Sequence, residues 1–142
     1  MFAHDDSSVL SLSNQLIDEL LASDILVLES PMYNFSIPSA LKAWFDHVVR
    51  ARKTFRITET GVEGLLKGKR GILVLGSGAV YSEGPFKSMD FQEPYLRAML
   101  GFIGMTEVES IRVEGLNMGP DAAAEGVARA RTRVSQVLAE AA

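Results

Sequence analysis

Ser30-Pro31-Met32-Tyr33-Asn34-Phe35-Ser36-Ile37-Pro38 joins the apolar run Ile25-Leu26-Val27-Leu28 to a stretch in which Leu41, Trp44, Phe45, Val48 and Val49 form one stripe. A short continuous apolar run reads as a strand buried on both faces, and the stripe reads as an amphipathic helix. Pro38 suits the first helical turn, where its missing N–H costs nothing. The segment between them is therefore a strand-to-helix loop. It combines Met32, Tyr33 and Phe35, all large and apolar, with a backbone-constraining proline and the Asn34 amide. Such a loop can offer backbone N–H and C=O groups to a planar heterocycle while its side chains cover the faces. The same composition also fits an ordinary turn whose apolar side chains belong to the core.

Upstream, Leu12, Leu16, Ile17, Leu20 and Leu21 recur at helical spacing and predict a helix from Ser11 to Ala22. Downstream, Thr54-Phe55-Arg56-Ile57-Thr58 alternates, and Gly61, Gly64 and Gly68 after it suit a small hairpin or an ordered loop. Gly71 to Leu75 predicts a second buried strand, ending in the Gly- and Ser-rich loop Gly76 to Pro85. A helix follows from Pro94 to Ile103, with Tyr95, Leu96, Met99, Leu100 and Ile103 on one face, and then a third strand from Glu107 to Val113. The last helix, Asp121 to Ala141, turns Ala123, Val127, Ala130, Val134, Val137 and Leu138 inward. Strands alternating with helices imply an α/β domain with a parallel sheet and right-handed crossovers. In such sheets ligands collect at the C-terminal strand ends, which here follow Leu28, Leu75 and Val113.

The 142 residues, 47% apolar, suit one domain, 1–142. Fourteen Lys and Arg against 18 Asp and Glu give a net charge of -4 without a basic run, which argues against nucleic acid as a partner. The absence of cysteine excludes disulfides, thiolate zinc sites and thiol nucleophiles, and fits a reducing compartment, so the cytoplasm is the expected location. Met1 to Ser8 carries Asp5 and Asp6 and does not read as a signal peptide, and no apolar run is long enough to span a bilayer. No His, Asp or Glu grouping has metal-ligand spacing, so no metal is expected. His47 lies off its helix stripe and reads as a surface residue, whereas Trp44 reads as core. Glu114, just past the third strand, is open to ligand contact, helix capping or a plain surface role.

Pro31 to Ala51, PMYNFSIPSALKAWFDHVVRA, resembles over its whole length the flavin-ring-binding segment of FMN-dependent NADH-azoreductases, and related NAD(P)H quinone reductases share it more loosely. Further matches follow in order: Thr54-Phe55-Arg56, Gly64-Leu65, Gly68-Lys69, Glu83-Gly84-Pro85, Pro94-Tyr95-Leu96, Leu100 to Gly104, and Glu114-Gly115. The resemblance implies a flavodoxin-like fold and FMN as cofactor, with Pro31, Met32, Tyr33, Asn34 and Phe35 contacting the ring. It makes Gly76, Ser77, Gly78, Ala79 and Tyr81 the second flavin loop. It implies a ping-pong reaction in which NADH or NADPH reduces the flavin and the flavin then reduces a quinone or azo compound. No catalytic protein nucleophile is expected, because the flavin carries the chemistry. It also implies a homodimer with the segment around Phe55 reaching the partner.

Four positions depart from the family pattern. Ala79 stands where a second glycine is usual, Ser77 where arginine is frequent, Arg52 where glycine is common, and Ile57 where an aromatic is often found. The predicted strands correspond to the third, fourth and fifth of the flavodoxin-like order 2-1-3-4-5. The expectation is an incomplete sheet, N-terminally truncated relative to the family by two strand-helix units, roughly 60 residues, including the Ser-rich phosphate loop. The strand from Ile25 to Leu28 would then be a bare apolar edge in need of a partner, and the alternative reading is a non-catalytic fragment with weakened or absent FMN binding.

Overall fold

The chain is described by a computed structural model covering residues 10–140. The readings made of Met1 to Ser8 and of a helix end at Ala141 lie outside these residues. Helix α1 (Ser11–Ala22) leads into strand β1 (Ile25–Pro31), helix α2 (Ser39–Val48) and a hairpin of β2 (Phe55–Thr58) and β3 (Gly61–Gly64). Strand β4 (Arg70–Gly76), helix α3 (Glu93–Phe102), strand β5 (Glu107–Val113) and helix α4 (Pro120–Glu140) complete the order.

The three long strands form one parallel sheet, β1-β4-β5. Their register aligns Pro31 with Gly76 and Gly76 with Val113, so all three strands end flush. That alignment sets the three following loops side by side along one rim of the sheet. On one face, Leu28, Leu73 and Leu75 pack with Ile17, Leu20, Phe45, Val48, Leu96, Leu100, Ile103 and Met105. On the other, Ile72, Val74, Ile111 and Val113 meet Ala130 and Val137 of α4. Both faces of β4 are therefore covered, which is why its sequence is continuously apolar rather than alternating.

Three predicted faces differ from those observed. In α1 the inward residues are Ser13, Ile17 and Leu20, while Leu12 and Leu21 stay half exposed, at 51% and 45%. The helix is turned toward α2: the Ser13 hydroxyl donates to the His47 carbonyl at 2.6 Å, and Arg50 Nη1 donates to Ser13 Oγ at 2.9 Å. In α4, Val134 and Leu138 are exposed rather than inward, as are Ile25 and Val27 of β1. Val27 pairs with Ile72 and so shares the α4 face of the sheet. One helix about 10 Å across covers roughly two strands spaced about 4.8 Å apart, so β4 and β5 are sheltered and this face of β1 is not.

Pro38 precedes α2 rather than entering it, and its carbonyl accepts the N–H groups of Leu41 and Lys42. Thr54 does not start the hairpin but closes α2: fully buried, its hydroxyl donates to the Val48 carbonyl at 2.6 Å and accepts the Arg50 N–H at 3.0 Å. The hairpin is seated on the turn after α3 by backbone contact. A Cβ on Gly64 would lie 2.1 Å from the Gly104 nitrogen, and Leu66 N–H donates to the Ile103 carbonyl at 2.8 Å.

Candidate ring-binding site

The loop after β1 begins with Met32 N–H donating to the Gly76 carbonyl at 2.7 Å, which continues the sheet one residue past the strand. It then turns back on itself. Tyr33 and Ser36 exchange both N–H···O bonds, at 2.9 and 3.0 Å, around Asn34 at φ +48° and Phe35 at φ +67°. Positive φ at both central residues is the pattern of a type I′ turn, which normally takes Asn-Gly. Asparagine suits its place; phenylalanine does not, because an L side chain in the left-handed region crowds the following carbonyl. Phe35 is held there from outside by the Phe91 N–H, which donates to the Phe35 carbonyl at 3.0 Å. Backbone strain of this kind persists where the surroundings over-determine it, and it gathers at ligand sites.

The loop after β4 is built on its own backbone and on the loop after β5. Ser77 N–H donates to the Val113 carbonyl, the Ser77 hydroxyl to the Ala79 carbonyl at 2.8 Å, and Gly115, Leu116 and Asn117 N–H groups to the carbonyls of Ala79, Ser77 and Gly78. Ser77 is buried at 6% exposure, so its side chain shapes the loop from within. Tyr81 bridges the two loops: its ring meets Phe35 edge-on at 6.2 Å and Phe86 at 6.1 Å. Phe35, Phe86, Leu116 and Met118 remain substantially exposed around this rim, and Ala79, Val80, Pro85, Phe86 and Met118 line a hollow of about 440 Å³.

All ten residues singled out in the sequence thus fall at one end of the sheet, Pro31 and Gly76 as the last residues of β1 and β4 and the other eight on the two adjacent loops that follow. The turn uses neither the Asn34 nor the Phe35 N–H, and among the described residues no hydrogen bond engages those of Gly78, Ala79 or Val80. Two sets of unspent backbone donors beside aromatic surface suit a flat ring whose edge carries several acceptor atoms. Isoalloxazine is such a ring. Within the described residues no strand precedes α1, so no strand-end loop is present there to hold a phosphate. No group of His, Cys, Asp and Glu among them is placed to hold a metal, and no helix among them is long and apolar enough to cross a membrane.

Sequence reasoning missed a polar cluster behind the rim. Glu114 neither caps a helix nor lies free on the surface. Its Oε1 accepts the N–H groups of Tyr81 and Ser82, both at 2.8 Å, and its Oε2 accepts the Ser82 hydroxyl. Arg112 lies between Asp90, Glu93 and Glu114. Burial pushes the Glu93 carboxyl up, but hydrogen bonds from Ser110 and Arg97 and the Arg112 charge outweigh it and hold the group below the usual carboxylate range. Burial pushes Arg112 down, and Asp90 and Glu93 more than reverse this. The one local signal was Asp90-Phe91-Gln92-Glu93, a D-x-x-E start to α3, in which Asp90 Oδ1 accepts the Gln92 and Glu93 N–H groups at 3.0 and 3.2 Å.

Loops at the C-terminal rim of an open parallel sheet are where ligands collect in doubly wound folds, and here they carry free backbone donors beside aromatic side chains. The chain belongs to the flavodoxin-like fold family, whose profile matches residues 2–138. It is 53% identical over 135 residues to FMN-dependent NADH:quinone oxidoreductase 2 of Pseudomonas fluorescens, covering 94% of this chain and 66% of that protein. Its structure is similar to azoreductase from Bacillus anthracis strain Sterne at 31% identity and TM-score 0.88, over 96% of this chain and 66% of the other. It is also similar to an FMN-dependent NADH-azoreductase from Bacillus anthracis strain Ames Ancestor solved in complex with FMN, at 25% identity and TM-score 0.83, over 96% and 67%. The chain spans about two thirds of the length of each.

Proposed function

We propose that this chain supplies the flavin-ring side of an FMN-dependent NAD(P)H oxidoreductase acting on quinones or azo compounds. The observation that carries the reading is the strained Tyr33–Ser36 turn beside the Gly76–Tyr81 loop, with unspent N–H groups on both. When bound, FMN supplies two-electron transfer in two half-reactions, from NADH or NADPH and then to the acceptor. Pro31, Met32, Tyr33, Asn34 and Phe35 hold one edge of the ring, and Gly76, Ser77, Gly78, Ala79 and Tyr81 the other. The donor N–H groups offset negative charge that gathers on the ring's acceptor edge. Phe35 and Tyr81 wall the space where a flat acceptor stacks and exclude water from it.

The names of the relatives support the substrate class, and the cysteine-free composition supports a cytoplasmic setting. The 142 residues act as one domain, and the working form is a homodimer. Phe55 packs on Phe102 of its own chain, with ring centroids 4.9 Å apart, and the segment around it offers a partner the exposed cross-strand pair Ile57 and Val62. A second reading, that the 142 residues by themselves hold FMN weakly and do not turn over, is favoured by the bare apolar face of β1 at Ile25 and Val27.

The test is a titration of the purified chain with FMN, followed by flavin fluorescence, and then NADH oxidation with a soluble quinone. Saturable binding below about 100 μM with quinone-dependent turnover is the expected result, and binding without turnover favours the second reading. A chain that binds no flavin at that concentration overturns the enzyme reading for these residues.

A further inference from the structure

We infer that Arg112 is a positioning residue that locks the two ring-binding loops to each other, acting through Asp90 on one side and Glu114 on the other. The inference rests on the assignment of those loops to the flavin ring.

On the side of the first loop, Phe91 N–H holds the Phe35 carbonyl at 3.0 Å. The Gln92 amide, 1% exposed, donates to the Ser30 carbonyl at 3.0 Å and to the Ser30 hydroxyl at 3.3 Å. Asp90 fixes this segment by accepting the Gln92 and Glu93 N–H groups on Oδ1, and its Oδ2 accepts Arg112 Nη2 at 2.6 Å. On the side of the second loop, Arg112 Nη1 donates to Glu114 Oε1 at 3.3 Å, and the same carboxylate gathers the Tyr81 and Ser82 N–H groups and the Ser82 hydroxyl. Arg112 Nε donates to Glu93 Oε2 at 2.8 Å, which anchors the guanidinium to the first turn of α3.

The arrangement has a charge logic. Three carboxylates converge on one guanidinium whose side chain is 21% exposed, with Asp90 at 6%, Glu93 at 14% and Glu114 at 15%. Take the cation away and Asp90, Glu93 and Glu114 repel one another, with Arg97 the remaining cation on Glu93 among the described residues. The planar five-donor fork is what lets one side chain serve three acids in different directions, which an ammonium cannot reproduce. Both loops are also held by their own backbone bonds, and the cluster adds side-chain anchors to them at the segment after Phe35 and at Tyr81 and Ser82. A further contact keeps Glu114 in place: a Cβ on Gly126 would fall 2.1 Å from the Glu114 carbonyl oxygen, so α4 lies directly against this residue.

The experiment uses the 142-residue chain with Arg112→Gln, Arg112→Lys and Glu114→Gln, read by amide hydrogen exchange at Phe91, Tyr81 and Ser82, with the β4 amides as internal reference. Arg112→Gln is expected to speed exchange at all three amides by about tenfold or more, the effect of losing one hydrogen bond to a charged group, and to leave β4 unchanged. Arg112→Lys is expected to recover part of the protection. Glu114→Gln is expected to loosen Tyr81 and Ser82 and to spare Phe91. Faster exchange confined to one loop in Arg112→Gln, unchanged exchange in both, or an equal rise in β4 would overturn the inference. If the unsubstituted chain binds FMN, Arg112→Gln should weaken that binding by about tenfold with partial rescue by lysine, and unchanged affinity overturns the positioning role. If the unsubstituted chain binds no FMN, the functional reading fails while the exchange pattern still decides whether Arg112 couples the loops.

Discussion

Arg52 is held at φ +67° in the turn between α2 and the hairpin, where its N–H donates to the Phe55 carbonyl at 2.7 Å. The neighbouring Thr54 is fully buried and bonded into the end of α2, so the turn has no freedom to relax the angle away. A left-handed conformation costs an L residue about 1–2 kcal/mol, whereas glycine adopts it freely but loses about 0.5–1 kcal/mol more chain entropy on folding. The Arg52 side chain is exposed, and among the described residues no hydrogen bond or ion pair engages its guanidinium, so little is lost with it. Arg52→Gly should therefore stabilise the chain by about 1 kcal/mol, or about 3 °C in Tm for a domain of this size. Urea unfolding followed by circular dichroism measures this directly. Arg50 and Lys53 flank the position, so removal of a positive charge is the competing cause. Arg52→Ala separates the two, because alanine removes the charge and keeps the Cβ. Alanine should leave stability within about 0.5 kcal/mol of the parent. A gain from alanine equal to that from glycine, or no gain from glycine, refutes the strain argument.

Gly64→Ala should detach the hairpin, since the new Cβ meets the Gly104 backbone at 2.1 Å; a loss of about 2 kcal/mol or more is expected, with faster exchange of the β3 amides before that of β4. Glu93 is held below its ordinary value of 4.5, so the unfolded chain binds the proton more readily than the folded one. Its contribution is complete above that value and disappears as the pH falls through the lowered one. Urea midpoints at pH 6 and pH 3 should accordingly draw closer together in Glu93→Gln, and an unchanged interval refutes the assignment. Val27→Lys should leave monomer stability within about 0.5 kcal/mol while reducing self-association on size-exclusion chromatography, because Val27 is 58% exposed on the uncovered face of the edge strand β1.

Much of the fold was legible because β1 and β4 contain short continuous apolar runs and the helices carry apolar stripes, although one face of β1 proves exposed. β5 falls on the predicted residues and β4 extends one residue beyond each predicted end. The helical stripes of α2 and α3 were equally plain, and the ten candidate site residues fall together because they end or follow adjacent parallel strands. The strain at Phe35 was not legible, for asparagine advertises a left-handed turn and phenylalanine does not. At Arg52 the hint lay in a glycine common in the family, and the observed φ supplies its reason. The bare side of β1 could be anticipated from strand count, but the exposure of Val134 and Leu138 could not, since helical periodicity says which residues share a face and not how wide a sheet lies beneath it.

The order of elements, the parallel sheet and the position of its C-terminal rim follow from the sequence alone, because hydrophobic periodicity and connection rules act over a few residues to a few tens. Only the tertiary structure joined Asp90, Arg112 and Glu114 with the loops they hold. Arg112 and Asp90 are 22 positions apart, and Glu114 reaches Ser82 across 32. A charged side chain looks the same in sequence whether it faces water or closes a network. What decides between the two is the register of β5, which brings Arg112 to the rim, and the packing of α3, which brings Asp90 to meet it.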